Sequence, residues 1–355
     1  MRHIPKLPAA IIAAWLVAGC AMRGTAPPTS AVYEPTGNAL GATAKDTLYV
    51  ANLAAKAPQP DGSIKVYAPG GSSPILTQPA VEPTNKRSIA FDREGNLYVA
   101  NYGDYVTVYA PKLPGAFLTI TKGLNAPISL TIDSTGDLYV GNSGDHSISV
   151  FAPHSATPAY TIAKKTGYPA ALAVDDSRNL YVANEDSNAV TEFAFGQTTP
   201  LRNIVTGDGP DDLLLDGSDN LYVANEKASP QGSVTVFAPG SATPMRTITE
   251  GINDPLELCL DNAKNIYVLN RGGAAYTAPT VTVYAAGSTK LLRTIDLTPK
   301  TLYYAMGLDS SANVYVAEDS GAQGAVRVYE AGGSTLLRSI TKGIFDPVAI
   351  GFGAR

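Results

Sequence analysis

The chain has 355 residues, 45% of them hydrophobic and only 16% charged, with 33 Gly and 26 Pro. That length can bury a large core, and many turn formers with few charges suit short strands rather than long amphipathic helices. A formal charge of −5 with scattered Lys and Arg lacks the basic patch of a nucleic-acid binder, so no nucleic-acid partner is expected.

The first segments do not read as part of a fold. Arg2 and Lys6 flank the start of an apolar run, LPAAIIAAWLV at 7–17, which is too short to span a bilayer. It stops at VAGC (17–20), which resembles the lipobox of bacterial lipoproteins. The resemblance implies that residues 1–19 are a signal peptide, that Cys20 is lipidated, and that the mature chain is anchored at the outer membrane, because Ala21 stands where an Asp would imply inner-membrane retention. Acyl chains contribute about 0.8 kcal/mol per buried CH₂, enough in number to hold such a protein stably. Residues 20–43, rich in Pro, Gly, Ser, Thr and Ala, read as a flexible tether. With Cys20 acylated, Cys259 is the one thiol left and no internal disulfide is available.

From residue 44 onward one segment recurs: TLYVAN (47–52), NLYVAN (96–101), DLYVGN (137–142), NLYVAN (179–184 and 220–225), NIYVLN (265–270) and NVYVAE (313–318). Successive tyrosines are 49, 41, 42, 41, 45 and 48 residues apart, the period of a repeated supersecondary unit. The unit around Tyr139 contains four β-like segments, SLTID (129–133), DLYVGN, SISVFAP (147–153) and AYTIA (159–163), punctuated by turn residues. Four short antiparallel strands per repeat predict a propeller blade, and seven repeats an all-β seven-bladed propeller over residues 44–355. The first unit opens at its second strand, and DPVAIGFGAR (346–355) is a first strand with no second. These two fragments are expected to pair in one blade and close the ring, which removes exposed sheet edges. The repeating pattern is similar to NHL and YVTN-type β-propeller repeats. That resemblance implies the architecture and leaves activity open, since such propellers include binding proteins, lyases and lactonases. The single Trp, Trp15, lies in the signal, so Trp-dependent WD40 or quinoprotein signatures are absent.

The first strands carry small residues on one side (Ser88, Ser129, Ala171, Ala305, Ala349), expected near the ring axis, and large ones on the other (Ile89, Leu130, Leu172, Met306, Ile350), expected between blades. The Asp that opens the following turn reads as structural. Arg202, Arg246, Arg293 and Arg338 recur on the fourth strand, where long cationic side chains would protect a sheet edge.

Two positions break the small-residue rule: Asp212 and Glu257, in adjacent units, beside Asn225 and Asn270. Such carboxylates can bond backbone amides or channel water. With the two Asn they can hold a divalent cation such as calcium. One of them can also serve as a general base with a raised pKa. The Asn ending each second strand recurs in six units, with Glu318 the exception, and that repetition points to a turn bond. Three histidines, one of them in the signal, are too few for a histidine-based zinc site, and nothing around Asp145 and His146 marks a nucleophile. Longer connections at 51–63, 224–233, 269–280 and 317–325 wall one side of the face that carries them. The expectation is a monomeric, non-catalytic envelope protein that binds another protein or a glycan. A metal-dependent lactonase or lyase is the alternative, and no organic cofactor is expected.

Overall fold

The computed structural model describes residues 46–353, apart from 54–61, 80–82, 85–87, 102, 112, 164–166, 208, 227–230, 274–277 and 321–322. The signal segment, Cys20 and the tether lie outside the described residues. Among the described residues, 28 strands form seven four-stranded antiparallel sheets. Blade 2 runs from Ile89–Phe91 to Leu118–Ile120, blade 3 from Pro127–Ile132 to Tyr160–Ile162 and blade 4 from Pro169–Val174 to Arg202–Val205. Blade 5 runs from Pro210–Leu215 to Pro244–Ile248, blade 6 from Pro255–Leu260 to Leu291–Asp296 and blade 7 from Leu302–Leu308 to Leu336–Ile340. Blade 1 takes its inner strand, Pro347–Phe352, from the far end of the chain, with Gly351 opposite Tyr49 of Leu48–Asn52. The ring is therefore closed as the sequence predicts.

Both faces of a blade are covered, so the strands need no polar side. Every residue of the second strand Leu221–Asn225 is buried. Its period-2 alternation serves two interfaces: Leu221 and Val223 join a core with Ala171, Tyr181 and Ala183 of blade 4, while Tyr222 and Ala224 join one with Leu258, Ile266 and Val268 of blade 6. The core is thus a set of seven slabs between blades, and each fully buried side chain of this size contributes about 1.5–3 kcal/mol.

The inner strands correct one expectation. Their small residues do not line the axis; they face the large residues of the next blade, where adjacent inner strands approach closest. A Cβ on Gly351 would lie 2.6 Å from Phe91 and 2.9 Å from Ile89, and one on Gly307 2.9 Å from Phe352. Small and large sides form complementary halves of one interface.

The connections from second to third strand and from blade to blade lie on one face, called upper here. Inner-to-second turns and third-to-outer connections lie on the lower face. Each lower turn is built by an Asp whose Oδ1 accepts the amides two and four residues on, as at Asp92, Asp133, Asp216 and Asp309. Its Oδ2 accepts the hydroxyl of the second-strand Tyr at 3.2–3.4 Å in blades 2 to 7.

The fourth-strand arginines do more than guard an edge. Arg246, Arg293 and Arg338 reach inward across the third strand, donate from Nη2 to the Tyr hydroxyls at 2.9–3.4 Å and stand over the same rings. A buried Asp–Tyr pair thereby gains a cation. Blade 3 has Tyr160 at that register position, and the cation comes from the next blade: Arg178 donates to Asp133 Oδ2 at 2.7 Å and also to Asp137.

Candidate functional site

Asp212 and Glu257 lie buried at the interfaces between inner strands. Asp212 Oδ1 accepts its neighbour Leu213's amide at 2.7 Å, and Oδ2 accepts the Leu258 amide of blade 6 at 2.8 Å. Glu257 Oε2 accepts the Met306 amide of blade 7 at 2.5 Å. Ser129 makes a comparable bridge, its Oγ donating to the Pro169 carbonyl of blade 4 at 2.8 Å. The two carboxylates therefore join consecutive blades at the level of the inner strands.

Asn225 and Asn270 end their second strands facing inward to their own blades. Asn225 Nδ2 donates to Thr235 Oγ1 at 2.9 Å, and Asn270 Nδ2 to Thr282 Oγ1 at 3.0 Å. Asn270 Oδ1 accepts the Asn253 amide at 3.1 Å, as Asn142 and Asn52 accept those of Asn125 and Phe345. This bond ties blades 1, 3 and 6 to their incoming connections, whereas in blades 4 and 5 Asn184 Oδ1 and Asn225 Oδ1 are buried without a hydrogen-bond partner among the described residues.

The residue after that Asn is different. Its backbone is held by a bond that also repeats, its amide donating to the carbonyl before the inner-strand proline: Leu53 to Asp346, Ser143 to Ala126, Glu226 to Gly209 and Arg271 to Asp254, at 2.8–2.9 Å. Its side chain varies from blade to blade, Glu alone occurring twice, as Glu185 and Glu226. Fixed backbone with varied chemistry places Leu53, Ser143, Glu185, Glu226 and Arg271 on the upper face, on rigid strand ends.

Over blades 5 and 6 these side chains converge. Arg271 Nη2 lies 3.3 Å from Glu226 and 3.7 Å from Asp211, and its Nε 3.6 Å from Asp254. All four are between 15% and 24% exposed, so one half-buried guanidinium faces three half-buried carboxylates. Asp211 occupies the β-bulge of its inner strand, where other blades have Ile128, Ala170, Leu256 and Val348. Bulges re-aim side chains. Burial pushes the Glu226 carboxyl above its usual range; Arg271 pulls it back, and Asp211, Asp254 and Glu185 add to the rise.

The sequence drew attention to blades 5 and 6 through Asp212 and Glu257 and missed Asp211, Glu226, Asp254 and Arg271. The available signal was the one variable residue following a constant motif.

Blade 7 carries the other departure. Glu318 replaces the recurrent Asn, and Arg327 stands where the third strands of blades 2 to 6 have Thr107, Ser149, Thr191, Thr235 and Thr282 and that of blade 1 has Lys65. Arg327 donates to Glu318 Oε1 from Nε at 2.6 Å and from Nη2 at 2.5 Å, and Tyr303 donates to Oε2 at 3.3 Å. A cavity of about 160 Å³ opens beside the pair, lined by Thr298, Thr301, Ser320, Gln323 and Thr341.

Comparison with known proteins places the fold. The NHL repeat model matches residues 124–151, within blade 3. A comparison with curated proteins gives no match. Among solved structures, the chain is similar to Kuenenia stuttgartiensis hydrazine synthase, with TM-score 0.61 and 15% identity over 75% of this chain and 90% of that one. It is similar to the dihydro-heme d1 dehydrogenase NirN in complex with DHE, with TM-score 0.60 and 13% identity over 90% and 78%. The WD40 β-propeller domain of Doa1 gives TM-score 0.59 and 13% identity over 76% and 89%. At such identities the likeness is one of fold.

Proposed function

We propose that the protein is a non-catalytic, monomeric binding propeller of the bacterial cell envelope. It is held at the outer membrane through lipidated Cys20 and engages its partner with the upper face over blades 5 and 6. The observation that supports this is the Arg271 cluster, in which, among the described residues, one guanidinium gathers three carboxylates that remain partly open to solvent on the upper face. Such a surface attracts amino and guanidinium groups, so the partner is an envelope protein with a basic segment or a glycan bearing amino groups. The fold accommodates enzymes and scaffolds alike. The alternative, a metal-dependent lactonase or lyase using Asp212 and Glu257, gains nothing from these positions, where carboxylate oxygens are given to backbone amides.

Crosslinking in intact envelopes, followed by recovery of the full chain, tests the proposal. A partner retained by the natural chain and lost from the Asp211→Asn, Glu226→Gln double variant is expected. Undiminished recovery with that variant overturns the choice of face. Cys20→Ser is expected to move the chain from the membrane to the soluble fraction, and continued membrane retention removes the lipid anchor.

A further inference from the structure

On the lower face, two positions that depart from the repeat meet beside Asp92, and a third feature of blade 2 leaves that Asp without an arginine from its own fourth strand. The first is in the third-to-outer connection, whose first left-handed residue is glycine in five blades: Gly70, Gly196, Gly240, Gly287 and Gly332, with φ between 67° and 76°. Blade 3 has His154 there, at φ 56°. The second is in the inner-to-second turn, where the residue two beyond the Asp is Thr135, Ser177, Ser218, Ala263 or Ser311 in blades 3 to 7 and Glu94 in blade 2. The third is the cation slot of blade 2, filled by Leu118 at the register position where blades 5 to 7 carry arginine.

These departures come from separate segments of two blades. His154 Nε2 stands 3.7 Å from Asp92 Oδ2 and 3.6 Å from Glu94 Oε2, and the three donor atoms all lie within 4.8 Å of one another. Both distances exceed a hydrogen bond, which runs about 2.7–3.2 Å. Arg178, the cation serving the same role in blade 3, approaches its Asp133 to 2.7 Å. The imidazole is set back from its carboxylates, at the separation expected of atoms sharing an ion: ligands about 2.0–2.2 Å from a tetrahedral centre stand about 3.3–3.6 Å apart.

We propose that Asp92, Glu94 and His154 form a site for a first-row divalent ion of the zinc class, with one imidazole nitrogen and two carboxylate oxygens as ligands and water completing the shell. The donor set suits such an ion, since imidazole and carboxylate both ligate zinc. A single histidine suffices because the acids supply the rest. Asp92 is buried, and Asn96 Nδ2 caps the inner side of the triad, donating to Asp92 Oδ2 at 2.8 Å and to Glu94 Oε2 at 3.2 Å and lying 3.5 Å from His154 Nε2, while Glu94 and His154 are exposed and leave the outer side as an entry path. Phe117 stands edge-on to the imidazole, with ring centroids 5.8 Å apart, and limits its rotation. The ion would staple blade 2 to blade 3 as Arg178 joins blade 4 to blade 3, and the site is independent of the upper-face reading.

The chain supplies its own controls, because His154→Gly and Glu94→Ser install residues that other blades carry at the same positions. Titration calorimetry of the full chain with zinc chloride, and melting with zinc or chelator, give the readouts. One zinc per chain and a raised melting temperature are expected for the natural chain. Affinity weakened at least about tenfold is expected in either variant, with His154→Gly melting no lower than the natural chain in chelator. His146→Asn should leave the isotherm unchanged. No zinc binding by the natural chain, an isotherm unaltered by His154→Gly, or one abolished by His146→Asn would overturn the assignment.

Discussion

The two faces of the disc follow different rules. On the lower face an Asp turn, an Asp–Tyr bond and a nearby cation recur, even though the cation comes from a blade's own fourth strand in blades 5 to 7 and from a neighbour in blade 3. On the upper face the strand-ending Asn and the backbone bonds recur while the side chain of the next residue varies. Repetition marks a geometric demand met at every blade, whereas departure on a constant backbone marks a position relieved of that demand. The binding site is sought among the departures.

The sharpest test of that rule is blade 7. Glu318→Asn restores the common residue but leaves Arg327 with its charge uncompensated in a largely buried place, and a loss of about 3 kcal/mol is expected in denaturant unfolding. Adding Arg327→Thr completes the common Asn–Thr pair and should recover most of the loss. A double variant as unstable as the single one would show that Glu318 and Arg327 are not a coupled substitution.

Much of this was legible because propeller repeats compare a chain with itself. The Tyr spacing gave the blade count, and the isolated strands at both ends gave the closure. Strand parity assigned Asp212 and Glu257 to the small-residue slot. It could not say what covers that slot, and the next blade's amides do. The variable residue after the constant motif marks Glu226 and Arg271, but their meeting with Asp211 and Asp254 depends on how two blades lie side by side, which strand parity does not show. Glu94 and His154 differ visibly from their counterparts, yet their meeting depends on how one blade's turn lies against the next blade's connection.

Next in size is Arg178→Leu on the lower face. It removes charge-assisted bonds to Asp133 and Asp137 and the stacking over Phe195, for a cost of about 2 kcal/mol. Burial tends to raise the Asp133 carboxyl, but Arg178, Thr135 and the turn amides outweigh it and hold it below the ordinary 3.8. A depressed carboxylate stabilises the fold above its unfolded value and loses that contribution as pH falls through its folded value. Acid unfolding of the variant should therefore begin at higher pH than in the natural chain. Coincident acid transitions would mean that Arg178 does not govern Asp133.

Arg246→Leu should cost less, at most about 1 kcal/mol, because its bond to Tyr222 is 3.4 Å long and leucine already fills this slot as Leu76 and Leu118. A loss matching that of Arg178→Leu would erase the distinction between a cation that braces two blades and one that stacks within a single blade.

The smallest effect carries the opposite sign and belongs to the upper face. The Glu226 carboxyl is raised by burial and by neighbouring acids, so it favours the folded state when protonated. That contribution is complete below the unfolded value near 4.5 and is lost as pH rises through the folded one. At neutral pH Glu226→Gln should therefore be more stable than the natural chain, by less than about 1 kcal/mol because the group is partly solvated, and the gain should vanish in acid. A surface shaped for folding alone would not keep a carboxylate that opposes it, whereas one shaped for a cationic partner would. If Glu226→Gln is destabilised at neutral pH, the cluster is an ordinary ion-pair network, and the upper face loses its distinction from the lower.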